Sequence, residues 1–256
     1  MEILLHDYLM LAVAALLAGL IDAAVGGGGL VQVPALFSAF PLAMPATLFG
    51  TNKLASIWGT AFAARSFARR IPMDWSLAVP ASLAALVFSL LGASTLTQVP
   101  VDYLRKALPF VLLLLVVYVA RQKDFGQRGE ERFHGPLKTR MALLVGAGVG
   151  FYDGFFGPGT GSFLIFLFVR VFGQDFLAAA AVSKVVNVAC NLSALALFAW
   201  AGHVLWPLGL LMAACNVLGS IVGTRLAVRG GARYVRLLFL LVVGLLIMKT
   251  AADAFF

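Results

Sequence analysis

Apolar residues fall in runs that are too long for the buried face of a soluble helix. Six runs, at 46–64, 73–96, 103–120, 177–200, 204–224 and 235–255, approach or exceed the length of about 20 residues with which a helix crosses a bilayer core. Two more stretches, 8–40 and 139–173, are as apolar but are interrupted, the first at Gly26–Gly29 and the second at Gly157-Pro158-Gly159-Thr160-Gly161. Four glycines, or Gly-Pro-Gly, do not continue a helix without losing backbone hydrogen bonds. In lipid those bonds must be replaced by protein or by a water-lined cavity. The pattern predicts an all-α polytopic membrane protein with six transmembrane helices and two broken ones.

The one long polar stretch, 121–140, divides the chain into halves, 1–125 and 139–256. At a fixed offset of 131 positions the halves align without a gap. Gly19 meets Gly150, Asp22 meets Asp153, Gly26 meets Gly157 and Lys53 meets Lys184; Trp75 meets Trp206, Tyr103 meets Tyr234 and Arg105 meets Arg236. Apolar residues coincide easily by chance, but rare Asp, Lys and Trp do not, so the halves read as a duplication. Each half then holds one broken helix, 8–40 or 139–173, followed by three transmembrane helices.

Charge sets the orientation. If each broken helix is a re-entrant hairpin, the halves are inverted and fourteen Lys and Arg fall on one side against three on the other. If both arms cross, the halves are parallel and the split is ten to seven. The excess of positive charge on cytoplasmic loops favours inverted repeats, with the linker 121–140 cytoplasmic and both termini outside. The second arm agrees, since Leu30 to Phe40 makes a helix of only about 16 Å, although the first arm, Tyr8 to Val25, is nearly long enough to span.

Composition narrows the class. Of 256 residues 62% are apolar and 12% charged, against roughly a quarter charged in a soluble domain. A soluble enzyme, a disordered chain and a disulfide scaffold are all excluded. The net charge of +8 resides in loops beside apolar runs and is no nucleic-acid footprint. Met1–Asp7 is acidic and lacks the features of a cleaved signal. His6, His134 and His203 stand apart at segment ends, so neither a metal site, a cofactor nor a catalytic constellation is expected.

Four ionisable residues fall inside apolar helical runs. Asp22 and Asp153 each precede a glycine break by about one turn, and Lys53 and Lys184 lie roughly 10 Å into their helices. A charge at that depth costs at least about 2.5 kcal/mol on insertion scales and marks function. Thr51 and Asn52 precede Lys53, with Ser56 and Thr60 later; Ser183 precedes Lys184, with Asn187 and Asn191 later on its helix face. The half-helices beginning near Gly28–Gly29 and Gly159–Thr160 would point N–H groups and positive dipole ends inward. Lysines, amides and helix N-termini suit a small anion bound near the midplane, as secondary transporters commonly arrange. The candidate substrate set is Lys53, Lys184, Asn52, Thr51, Ser183, Asn187, Gly28, Gly29, Gly159 and Thr160. Asp22 and Asp153 serve either proton coupling or the tethering of broken helices.

These residues resemble a known family. Gly19-Leu-Ile-Asp22-Ala-Ala-Val-Gly26-Gly-Gly-Gly29-Leu-Val-Gln-Val-Pro34 with Gly50-Thr-Asn-Lys53, and Gly150-Phe-Tyr-Asp153-Gly-Phe-Phe-Gly157-Pro-Gly159 with Ser183-Lys184, are similar to the paired motifs of the sulfite exporter TauE/SafE family, the TSUP permeases. The resemblance implies a multi-pass inner-membrane permease, an exporter, for sulfite or an organosulfonate. Ser183 stands where the first half has Asn52, so the half-sites are unequal. Alternatives are a proton- or cation-coupled carboxylate carrier, a passive anion channel and a non-transporting assembly factor. Beyond a small anion and the bilayer, no partner is implied.

Overall fold

A computed structural model of the chain describes residues 5–99 and 131–229, together with positions 103, 110, 113 and 114. Apart from those four positions, the expected helix at 103–120, together with that at 235–255 and most of the linker, lies outside the described residues. Eight helices make up the described parts: α1 Leu5–Val25, α2 Gly29–Ala39, α3 Pro45–Ala68, α4 Trp75–Leu96, α5 Gly135–Phe155, α6 Thr160–Arg170, α7 Phe176–Trp200 and α8 Trp206–Val228. Among the described residues there is no strand.

α1, α4, α7 and α8 are long and apolar enough to cross a membrane. α3 and α5 have 24 and 21 residues and are of spanning length too, but they are more polar, α3 through Thr51, Asn52, Lys53 and Arg65 and α5 through Lys138, Thr139, Arg140 and Asp153. α5 starts at Gly135, four residues before the expected 139, with Pro136 in its first turn where a missing N–H costs nothing. Asp74 and Asp175 cap α4 and α7 by accepting from the N–H of Leu77, and of Leu177 and Ala178.

The helix boundaries of the two halves agree to within one residue at the offset of 131. Both breaks turn on a glycine in the left-handed region, Gly26 at φ 83° and its mate Gly157 at φ 92°, where a side chain would be strained. The chain doubles back after the first break: a Cβ on Gly28 would lie 2.6 Å from the Ala18 carbonyl oxygen. The short arms α2 and α6 are mostly buried, so their apolar surface is spent inside the bundle.

The halves interlock. α1 packs along α8, and α5 along α4. Gly146, Gly150 and Gly154 meet Ala81, Ala85 and Ser89 in turn, so α4 and α5 run parallel; Leu16 and Leu20 meet Gly219 and Gly223, so α1 and α8 do the same. A Cβ on Gly154 would sit 1.9 Å from the Ser89 carbonyl oxygen, the backbone-to-backbone approach that small residues permit between membrane helices. Two repeat-related hydroxyls stitch the seam, Ser89 to the Cys190 carbonyl at 3.0 Å and Ser220 to the Gly59 carbonyl at 2.7 Å. α3 and its mate α7 are antiparallel. The start of α3 meets the end of α7 where the Leu205 N–H donates to Thr51 Oγ1 at 3.0 Å, and at the opposite end Gln174 donates to Asp74 at 3.0 Å.

The outer surface is apolar. Leu83, Val87 and Leu91 on α4 and Leu210 and Leu218 on α8 are exposed, and Trp75, Trp200 and Trp206 are exposed at helix ends, where indole rings sit at a membrane interface.

Candidate functional site

Two lysine–carboxylate pairs cross between the halves. Lys53 on α3 holds Asp153 on α5 at 2.5 Å, with both side chains only 2% exposed. Lys184 on α7 holds Asp22 on α1 at 3.1 Å. Each lysine lies eight residues into its helix, about 12 Å along the axis, too deep for its ammonium to snorkel out easily. An unpaired charge buried there would cost several kcal/mol, and removing one partner of a buried pair typically costs about 3–5 kcal/mol. The crossed pairing therefore holds the halves together as well as keeping four charges at membrane depth.

The pairs have different surroundings. Lys184 Nζ also donates to the main-chain carbonyl of Asp22, and Thr60 donates to the same carboxylate at 3.2 Å. Asp22 is 14% exposed. Among the described residues, Lys53 Nζ meets a single acceptor, Asp153 Oδ2.

The hairpin tips meet between the pairs. The Ser162 N–H donates to the Gly26 carbonyl and its hydroxyl to the Val25 carbonyl, both at 2.8 Å. Next to this junction is a polar cavity of about 20 Å³, room for about one water molecule. Its wall includes Asp22, Lys53 and Asp153, the first turns of both half-helices at Gly29, Thr160 and Gly161, and two polar stripes. α3 contributes Asn52, Ser56 and Thr60; α7 contributes Asn187 and Asn191, which stand at the repeat positions of Ser56 and Thr60. Two hydroxyls of α3, Ser56 and Thr60, thus stand where α7 has two amides. Asn52 is buried, and its Oδ1 finds no hydrogen-bond partner among the described residues. Such an orphan costs about 1–3 kcal/mol, which a ligand bearing an O–H or N–H would recover.

Of the residues singled out from sequence, the cavity gathers Lys53, Asn52, Asn187, Gly29, Gly159, Thr160, Asp22 and Asp153. Lys184, Thr51, Ser183 and Gly28 are not in its wall: Lys184 is engaged by Asp22, Thr51 and Ser183 hydrogen-bond nearby backbone, and Gly28 packs against α1. Gly26, Gly157 and Gly161 join the wall because the breaks fold over it. Ser56, Thr60 and Asn191 join through the four-residue spacing that aligns side chains on one helix face.

The geometry sits beside clear relationships. The sequence model of the sulfite exporter TauE/SafE family matches residues 11–250. A probable membrane transporter protein from a Sinorhizobium species is 36% identical over 253 residues, covering 98% of this chain and 95% of its own. The probable membrane transporter protein YfcA of Escherichia coli is 35% identical over 240 residues, covering 94% and 88%. A probable membrane transporter protein of Haemophilus influenzae is 34% identical over 241 residues, covering 92% and 91%. No solved structure matches. The chain belongs to the sulfite exporter TauE/SafE family, and it is a multi-pass inner-membrane transporter rather than an enzyme.

Proposed function

We propose that the protein is a secondary transporter of a small sulfur-containing anion, sulfite or an organosulfonate, bound near the membrane midplane between two inverted repeats, 1–125 and 139–256. The observation that carries this reading is the cavity wall: one ammonium, side-chain amides and the first turns of two half-helices surround the same small space. Charge-assisted N–H bonds to a sulfonate are of the strong kind, and half-helix starts add fixed positive potential. A cavity of about 20 Å³ is narrower than a continuous anion pore would need.

Inversion is supported by the antiparallel meeting of α3 with α7 and by Trp75 and its mate Trp206 standing at opposite ends of the bundle. Arg65, Arg69, Arg70, Arg170, Arg225 and Arg229 then share the face of the linker, as cytoplasmic arginines do. Cysteine labelling from either side should find the loop 229–233 and the linker around Gln127 both cytoplasmic. Opposite faces would break the inverted arrangement.

Flux into proteoliposomes tests the substrate class. Sulfite or methanesulfonate should exchange across the membrane, acetate and chloride should not, and Lys53→Gln should abolish exchange in a protein that still elutes as a single species. Acetate movement at the sulfonate rate would favour the carboxylate carrier instead.

A further inference from the structure

The two ion pairs are mates under the repeat, yet only one presents both of its partners to the cavity. Lys53 and Asp153 line it together, whereas Lys184 is absent from the wall and wholly buried. Lys184 bonds the carboxylate and the main-chain carbonyl of Asp22 at once, which ties it to the end of α1 whether or not the carboxylate is charged. Lys53 has no second acceptor among the described residues. A Cβ on Gly157 would fall 3.0 Å from Lys53 Nζ, so the second break leaves space for that ammonium to lie over the tip.

An anion reaching the cavity finds its ammonium already occupied by Asp153 2.5 Å away, and the carboxylate repels it at low dielectric. We infer that Asp153, and not Asp22, is the residue that takes up a proton when the anion binds, releasing Lys53 to hold the anion. This rests on the anion-carrier reading above. A proton from water bonds to a carboxylate oxygen of Asp153, the hydrogen bond from Lys53 to that carboxylate breaks, and Lys53 keeps its own proton and charge. The anion then accepts from Lys53 Nζ. One proton and one singly charged anion enter together and the cavity stays neutral.

The other titratable groups around Asp153 do not serve as well. Tyr152 beside it on α5 spends its hydroxyl on the Pro158 carbonyl. Cys190 on α7 is close enough to feel both Asp153 and Lys53, but a thiol begins to titrate only on the alkaline side. Asp22 lies on α1 across the cavity, backed by Lys184 from α7. Cotransport of this kind carries the anion toward the more alkaline compartment, so export would have to run on the anion's own outward gradient.

The test uses full-length protein with methanesulfonate, which does not itself titrate in the range studied. Wild-type affinity should fall about tenfold per pH unit on the alkaline side of the linked proton. Asp22→Asn should keep that slope, and Asp153→Asn should bind with no slope at all. Infrared difference spectra on acidification give a readout that needs no ligand: a protonated carboxyl band that resists exchange in deuterated water, as the buried Asp153 should and the exposed acids should not, should appear in wild type and in Asp22→Asn and be missing from Asp153→Asn. A band lost in Asp22→Asn, or a wild-type slope in Asp153→Asn, overturns the inference. Should Asp153→Asn not fold, the band in Asp22→Asn alone decides, its presence supporting Asp153 and its loss refuting it. If wild type binds no sulfur anion while the band still follows Asp153, the substrate reading falls and the assignment of the protonating residue stands.

Discussion

The two ends of the bundle are related by the repeat but are closed by different chemistry. At the end where α4 and α5 begin, Asp74 gathers three segments: it caps α4, accepts from Gln174 of the α6–α7 loop at 3.0 Å and pairs with Lys138 of α5 at 2.8 Å, while Lys138 also reaches Glu131 at 2.5 Å. The mates of Asp74, Lys138 and Gln174 at the other end are Leu205, Asp7 and Ala43. There, among the described residues, hydroxyls and backbone make close contacts. Thr51 accepts the Leu205 N–H, Thr47 meets the ring of His203 at 3.2 Å, and Gly50 lies so close to His203 that a Cβ would come 2.0 Å from its carbonyl oxygen. The repeat of Gly50 is the buried Ala181, so the packing at the charged end accommodates a methyl group. The two halves share a buried frame and differ at the rims: one rim is a clasp of contact, the other a latch of charge that acts over distance.

The largest way to sharpen this contrast is Gly50→Leu. With backbone on one side and Phe198 Cβ on the other, the overpacking should cost about 3 kcal/mol or prevent folding, seen as a lower melting temperature in detergent. Lys138→Met comes next. It leaves the partly buried Asp74 without its ammonium and should cost about 1–3 kcal/mol, with much of the loss recovered in the double variant Lys138→Met, Asp74→Asn. Added salt should weaken the wild-type latch and leave the hydroxyl rim unchanged. Thr51→Val should cost about 1 kcal/mol through the lost partner of the Leu205 N–H. Equal salt dependence of the losses from Thr51→Val and Lys138→Met would undo the comparison.

The smallest effect is on acid stability. Burial by itself raises the Asp74 carboxyl, but the Lys138 ammonium and the Ser76 hydroxyl outweigh it and hold the group below its ordinary value. A depressed carboxyl stabilises the fold above the unfolded value near about 3.9 and loses that contribution as pH falls through its lower folded value. Melting curves across that acid window should show the loss in wild type and a smaller one in Asp74→Asn.

The repeat was legible because Asp, Lys, Gly and Trp are scarce in lipid-spanning sequence, so one offset stands out, and the helix boundaries follow it to within a residue. Glycine breaks were legible for the same reason that they are costly in lipid. The crossed partners were not. Lys53 and Asp153 are 100 positions apart, and nothing in either helix alone says that each lysine takes the acid of the opposite half. The difference between the pairs depends on whether a side chain faces a cavity, which helical spacing narrows to a face and no further. Ser56 and Thr60 were visible only as flanks of Lys53 until the fold set them opposite Asn187 and Asn191. The latch at Asp74 gave no signal, since Lys138 and Glu131 read as ordinary linker charge.

On the proposed anion-carrier reading, the crossed pairs also bear on how the protein meets the membrane potential. Moving one elementary charge through the full field is worth about 2.3 kcal/mol per 100 mV. Two lysines against two aspartates make the empty site neutral, so its return across the field is neither driven nor held back by voltage. A monoanion with one proton is equally silent. A dianion carried with a single proton is not: it moves one net negative charge and turns an electrically quiet cycle into a current. Whether that current is found on a planar bilayer therefore reports the ionic form in which the substrate travels.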